Sequence, residues 1–200
     1  MEGSTWAPYY DVSRDEPRET LLLALERFDA ESGGGERVAV DLGCGTGRDT
    51  AELLRRGWHV FAIDSEAEAI ERLRARDDVE PTAFERLETE VVRFERATWP
   101  DADLVNASYA LPFCFPAEFA LLWSRIVGSL RPRGRFAGQL FGDRDGWAES
   151  PELTFHTRAA VEELLRPLEV ERLDEVEEDG TTAIGAPKHW HVFQIVARKT

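Results

Sequence analysis

Residues 40–50 read VDLGCGTGRDT: a short apolar stretch holding Asp41, glycine at 43, 45 and 47, then polar residues that open a helical pattern. Glycine accepts positive φ and lets another group come close to the main chain. The three glycines therefore either make a plain turn or clear room for a ligand. The surrounding pattern bears on the choice, because a helix N-terminus behind such a turn offers free N–H groups.

Working outward, RVAVDL (37–42) reads as a buried strand and RDTAELLRRG (48–57) as a helix that Gly57 ends. WHVFAID (58–64) is the next strand. SEAEAIERLRAR (65–76) is the next helix, with Ser65 as its candidate cap. Further strands are read at 87–95, 102–108 and 134–141, and helices at 116–130 and 157–167, the last capped by Thr157. Two strands, 168–178 and 189–199, close the chain with no helix between them. Alternation of this kind predicts an α/β fold: a doubly wound, seven-stranded, mostly parallel sheet with an antiparallel edge hairpin. Ligands in such sheets sit at the carboxyl ends of the strands, where the strand order reverses.

Upstream, residues 13–28 read as an amphipathic helix with Ser13 and Glu16 at capping-box spacing and Pro17 suited to its first turn; Gly33, Gly34 and Gly35 make a flexible joint after it. The chain divides on this basis into an N-terminal helical cap segment, 1–34, and a main domain, 35–200. Two hundred residues, 42% apolar, suit one domain with a full core. The net charge of −15 argues against nucleic acid as a partner and for a small molecule. No apolar run reaches the length of a membrane span, the first ten residues lack a signal-peptide pattern, and two cysteines, Cys44 and Cys114, give no disulfide framework. A cytoplasmic protein is expected; its oligomeric state is left open.

The second strand ends at Asp64, 21 positions after Gly43, where an acidic side chain can accept both hydroxyls of a ribose. The dinucleotide pattern G-x-G-x-x-G fails in both registers, since Arg48 and Thr50 stand where its third glycine belongs. The pattern present is Asp41, Gly43, Gly45, Gly47 at alternate positions. VAVDLGCGTGRD followed by VFAIDSE resembles the first two motifs of class I S-adenosylmethionine-dependent methyltransferases. With YYD, PRE, DLVNASYALPFC and PKHWH it resembles, more narrowly, small bacterial methyltransferases of the tellurite-resistance-like type.

That resemblance implies a Rossmann-like methyltransferase fold with S-adenosyl-L-methionine as cofactor. Asp41, Gly43, Gly45 and Gly47 would carry its methionyl end and sugar, and Asp64 its ribose hydroxyls. Glu95, beside Phe94, would meet the adenine amino group, and Asn106 would face the reactive methyl. NASY (106–109) has the spacing of the N-P-P-Y loop of amino-group methyltransferases, but Ala107 and Ser108 replace both prolines, which argues against adenine methylation. Tyr109 lines the acceptor pocket or is a core aromatic. Trp6, Tyr9, Tyr10, Arg14 and Arg18 either close over the cofactor, with arginine pairing its carboxylate, or pack on the flank of the sheet. His189 and His191 share one face of the last strand and Trp190 takes the other. With His156 they do not complete a zinc set, so no metal is expected, and His189 is a candidate pocket-lining or proton-shuttling group. The expected reaction is methyl transfer to a small-molecule acceptor by in-line displacement. A non-catalytic cofactor-binding protein and an NAD(P)-dependent oxidoreductase are the alternatives.

Overall fold

A computed structural model describes residues 6–12, 16–31 and 35–200. Ser13, Gly33 and Gly34 lie outside the described residues, as does Arg14. The elements are α1 (Ala7–Tyr10), α2 (Glu19–Ala30), β1 (Val38–Leu42), α3 (Arg48–Arg55), β2 (His59–Asp64), α4 (Ala67–Arg74), β3 (Leu87–Val91), β4 (Ala102–Ala107), α5 (Pro116–Ser129), β5 (Leu130–Gly142), β6 (Phe155–His156), α6 (Arg158–Leu165), β7 (Leu168–Thr181) and β8 (Pro187–Lys199). Short 3₁₀ turns span Pro81–Arg86 and Leu111–Phe113.

The strands form one eight-stranded sheet in the order β3-β2-β1-β4-β5-β8-β7, with β6 paired to the end of β5. β1 to β5 run parallel; β8 inserts antiparallel between β5 and β7. The doubly wound reading is therefore correct, and the eighth strand is β6, whose two residues are too few for any periodicity to show. The order reverses between β1 and β4, so the carboxyl ends of these two strands flank the switch point.

Alternation along each strand supplies two cores. Val40, Leu42, Val105 and Phe136 face α5 and α6 through Leu122, Trp123, Ile126 and Leu165. Ala39, Val60, Leu104 and Ala137 face α2, α3 and α4 through Leu21, Leu25, Leu54 and Leu73. α2 is thus part of the main core. The segment expected as a single cap divides in two: α2 packs on the sheet, and α1 lies at its carboxyl edge.

Two caps differ from expectation. α2 begins at Glu19 with Arg18 at its N-cap and no side-chain cap bond, so Glu16 stands outside the helix. Ser65 does not cap α4; Glu66 holds that position, and its N–H is taken by Asp64 Oδ1 at 3.0 Å. Thr157 does cap α6, accepting from the Ala160 N–H at 3.1 Å.

Candidate active site

The glycine loop joins β1 to α3, and all three glycines have positive φ: +67° at Gly43, +54° at Gly45 and +82° at Gly47. Their surroundings differ. A Cβ on Gly43 would stand 2.5 Å from Ala110 Cβ, and one on Gly47 2.2 Å from Leu73 Cδ1. These two glycines let the loop nest against the turn after β4 and against α4. Gly45 alone opens onto space, with only Tyr10 Cε1 at 4.0 Å from such an atom. The bare main chain that a ligand needs is therefore at Gly45, and the role of Gly47 in this structure is packing.

Asp64 ends β2 beside it. Its Oδ2 accepts from the Gly45 N–H at 2.8 Å and its Oδ1 from Glu66. Burial raises its carboxyl pKa, against these backbone bonds, which lower it. The loop and the acid form one rigid corner, further tied by Gly43 and Cys44 N–H groups donating to the Ile63 carbonyl.

Beneath the corner lies a buried polar network that the sequence reading did not assemble. Asp41 Oδ2 accepts from the Thr50 hydroxyl at 2.6 Å, and its Oδ1 from Asn106 Nδ2 at 2.9 Å. The same amide nitrogen donates to Asp49 Oδ2 at 3.0 Å, which also accepts from the Ser108 hydroxyl at 2.5 Å. Asp49 Oδ1 accepts from the Arg18 backbone N–H at 2.9 Å. Burial first, and the Asp49 charge second, push the Asp41 carboxyl up to about 7. Asn106, fully buried, is spent bridging two carboxylates. The amide nitrogen of the residue expected at the reactive methyl is thus engaged by both acids. Asp49 sits six residues beyond Gly43, at the start of α3, where its charge reads as ordinary helix N-terminal chemistry.

Further along the edge, Glu95 is buried; its Oε1 takes Arg93 at 2.5 Å, and its Oε2 has no hydrogen-bond partner. A buried carboxylate oxygen without a donor is costly, and a ligand N–H would satisfy it.

Segment 6–12 lies over the glycine loop. Tyr10 is buried next to Gly45, and burial together with the charges of Asp64, Glu66, Cys44 and Glu68 raises its hydroxyl above the ordinary tyrosine range. Trp6 meets the Phe113 ring at 4.9 Å, and Asp11 pairs with Arg72 of α4 at 2.8 Å. Arg18 lies over the Tyr109 ring at 4.5 Å. Arg48, the first residue of α3, is half-buried; burial and then the Arg18 charge lower its guanidinium pKa. Neither arginine has an ion-pair partner among the described residues.

On the other side of the switch point, Tyr109 follows β4 with φ +55°, a conformation uncommon for a residue with a Cβ. Its N–H donates to Gln139 Oε1 at 3.0 Å, and Gln139 in turn donates to Thr20. Its ring meets Phe141 at 6.4 Å and Trp190 at 6.3 Å. His189 is not in this group. Alternation on β8 turns it to the opposite face from Trp190, where its ring pairs with Asp179 at 2.7 Å and Glu177 at 3.3 Å. These acids, Asp179 first, raise its pKa. His191 is buried, accepting from the Arg144 backbone N–H and meeting Glu175 at 2.9 Å. His156 pairs with neither; burial lowers its pKa to about 4. Among the described residues no group of metal-ligating side chains forms a candidate metal site.

This strand order, with a glycine loop after β1, an acid ending β2 and a polar terminus on β4, is that of the Rossmann-like methyltransferase fold. Residues 39–134 match the family model described as a methyltransferase domain. The carboxy-S-adenosyl-L-methionine synthase of Photobacterium profundum is 30% identical over 100 residues. That match spans 47% of this chain and 40% of the relative. Among solved structures, TehB from Haemophilus influenzae superposes with a TM-score of 0.70 at 16% identity, over 88% of this chain and 61% of that one. The 1,6-didemethyltoxoflavin-N1-methyltransferase of Burkholderia thailandensis, with its substrate and S-adenosylhomocysteine bound, does so with a TM-score of 0.67 at 23% identity, over 92% and 77% of the two chains. The chain thus spans less than two thirds of the length of both the curated relative and TehB.

Proposed function

We propose that this protein transfers a methyl group from S-adenosyl-L-methionine to a small-molecule acceptor. The observation that carries the reading is the corner at the carboxyl edge of β1 and β2: open main chain at Gly45, held against the Asp64 carboxylate. The partnerless Glu95 Oε2 lies further along the same edge. These three features fit an adenosine. Asp64 would accept from the ribose hydroxyls and Glu95 from the adenine amino group. At the methionyl end, the Asp41–Asp49 pair supplies negative charge for an ammonium, and Arg18 and Arg48 supply cations for a carboxylate.

When bound, S-adenosylmethionine supplies an electrophilic methyl carbon, whose bonding pair leaves with sulfur as an acceptor lone pair bonds to the carbon. The chain's own residues align and exclude water. Asn106 and Ser108 fix the two acids relative to β4. Gln139 holds the Tyr109 main chain, so that the ring stands at the acceptor side. Segment 6–12 roofs the cofactor edge with Trp6, Tyr9 and Tyr10. The opposite-face position of His189 leaves Tyr109 as the polar group nearest the acceptor side in this reading, and no dedicated base is required for an acceptor already deprotonated.

A small acceptor suits the net charge of −15, which disfavours nucleic acid and anionic membrane, and among the described residues no helix is long and apolar enough to cross a membrane. Free, buried Cys44 and Cys114 suit a cytoplasmic protein. Isothermal titration with S-adenosylmethionine, S-adenosylhomocysteine and NAD tests the cofactor: the first two bind and NAD does not. Tighter binding of NAD overturns the reading in favour of an oxidoreductase. Methylated product from a panel of small acceptors separates the enzyme from a protein that only binds the cofactor.

A further inference from the structure

The acceptor side carries a feature that cofactor binding does not use. Rings from four separate parts of the chain meet there: Tyr109, Phe113, Phe141, Trp147 and Trp190, with Trp6 at the margin. Phe141 meets Phe113 at 6.3 Å, Trp147 at 6.1 Å and Trp190 at 5.9 Å, and Trp147 meets Trp190 at 6.0 Å. Only Phe141 is buried; Trp147 is 36% exposed and the others are part-exposed. Contiguous aromatic side chains left part-exposed are candidates for a ligand surface.

The panel is backed by cations. The chain has two lysines, Lys188 and Lys199, and the side chain of Lys188 is 1% exposed. Its ammonium pairs with the wholly buried Asp145 and lies 4.0 Å from the Trp190 centroid, 4.1 Å from Trp147 and 4.8 Å from Phe141. Asp145 is held in turn by the Trp147 and His191 N–H groups at 3.0 and 3.2 Å. Arg18 takes one face of Tyr109. A buried ammonium is expensive unless it is paired and its surroundings use it.

An aromatic face is negative and attracts cations. A cation already on one face offsets that potential, so the same ring no longer draws a second cation to its free face and instead favours electron-rich partners. Four of the five rings carry such a cation. We propose that the acceptor is a planar, electron-rich aromatic or heteroaromatic compound, neutral or anionic, that lies on the Tyr109–Phe141–Trp190 panel. Aliphatic acceptors gain little from this surface, and a cationic amine gains less from these rings than from free ones, because Lys188 and Arg18 already occupy one face of each. The inference rests on the methyltransferase reading, which places the acceptor beside Tyr109.

The test uses matched probes on the full chain with saturating S-adenosylhomocysteine, whose own binding is measured first. Failure of S-adenosylhomocysteine to bind overturns the cofactor reading and this inference with it. With that binding intact, 2-naphthol is titrated against 2-naphthyltrimethylammonium, decahydro-2-naphthol and tellurite, followed by saturation-transfer NMR and calorimetry. The expected result is 2-naphthol binding at least about tenfold more tightly than each of the other three. Trp147→Leu, at the most exposed ring, weakens 2-naphthol about fivefold and leaves S-adenosylhomocysteine unchanged. Lys188→Met combined with Asp145→Asn, which avoids stranding a buried charge, narrows the gap between 2-naphthol and its cationic analogue. Equal or tighter binding of the cation, the saturated alcohol or tellurite overturns the proposal, as does a gap that the double variant leaves unaltered.

Discussion

The two halves of the carboxyl edge are built on different principles. Over β1 and β2 the site is polar, buried and local in sequence: Asp41, Gly45, Asp49 and Asp64 lie within 24 positions, Asp64 and Asp49 accepting from main-chain N–H groups and Asp41 from the side chains of Thr50 and Asn106. Over β4, β5 and β8 it is aromatic, part-exposed and assembled from positions as distant as Arg18 and Trp190. The first half suits a ligand that never changes, and the second suits specificity. On the proposed reading, the switch point between β1 and β4 is also the boundary between the cofactor half and the acceptor half.

The sharpest way to break this division is Asp64→Ala. Two charge-assisted hydrogen bonds to the ribose, at ~1.5 kcal/mol each, make the expected loss of cofactor affinity about 100-fold. Binding of 2-naphthol should weaken far less when each is measured by calorimetry. Because Asp64 also holds the Gly45 and Glu66 N–H groups, Asp64→Asn serves as the milder companion, keeping an acceptor for one of them. Undiminished affinity in both variants would displace the sugar from this corner.

Removing residues 1–12, which leaves α2 and its core contacts intact, tests the roof. Loss of the Trp6, Tyr9 and Tyr10 cover is expected to weaken S-adenosylhomocysteine by about tenfold or more, with the melting temperature of the apo protein little changed. An unaltered affinity means that the segment only packs on the flank.

The glycines sharpen the comparison inside the first half. Gly47→Ala drives a Cβ into the fully buried Leu73 at φ +82°, and about 3 kcal/mol of stability is expected to go. Gly45→Ala meets open space and strains only the backbone, costing about 1 kcal/mol. Denaturant unfolding and cofactor titration should therefore give opposite orders: Gly47→Ala worse for the fold, Gly45→Ala worse for the ligand relative to its cost in stability.

Why the sequence disclosed one half and concealed the other follows from the same contrast. Strands and helices from Val38 to Arg74 repeat with clear periods, and the glycine loop and Asp64 follow directly from them. The place of Asp49 in the buried network was hidden because an acid in a first helical turn needs no further explanation, and only the fold brings Asn106 and Ser108 to it. Ser65 is a good cap by type, but Asp64 satisfies the Glu66 N–H one residue earlier. On β8 the alternation was legible, with Trp190 opposite His189 and His191. Which face meets Tyr109 was not, since that depends on where the loop carrying Asp145 and Trp147 folds back. β6 left no signal at two residues, and the Lys188 cage draws on three elements far apart in the chain.

The remaining contrast is one of pH. Asp41 is held at about 7 in the folded chain, against an ordinary value of 3.8, because it is buried beside Asp49. A folded-state pKa above the unfolded one means that the folded protein retains a proton which the unfolded chain gives up. This contribution to stability is full below pH ~4 and is lost as pH rises through about 7, by about 4 kcal/mol in all. Asp41→Asn should flatten that slope relative to the parent, read as the difference between the two unfolding free energies at about pH 5 and pH 8. Cofactor affinity should move the other way, since only the ionised pair offers full negative charge to an ammonium: it strengthens from about pH 6 to 8 in the parent. His189→Ala provides the control from the far face of β8, where the ring pairs with exposed acids. Its effect on S-adenosylhomocysteine and 2-naphthol binding should be nil at any pH in this range. A pH dependence of ligand binding that follows His189 and ignores Asp41 would move the titrating centre from the buried carboxylates to the edge hairpin.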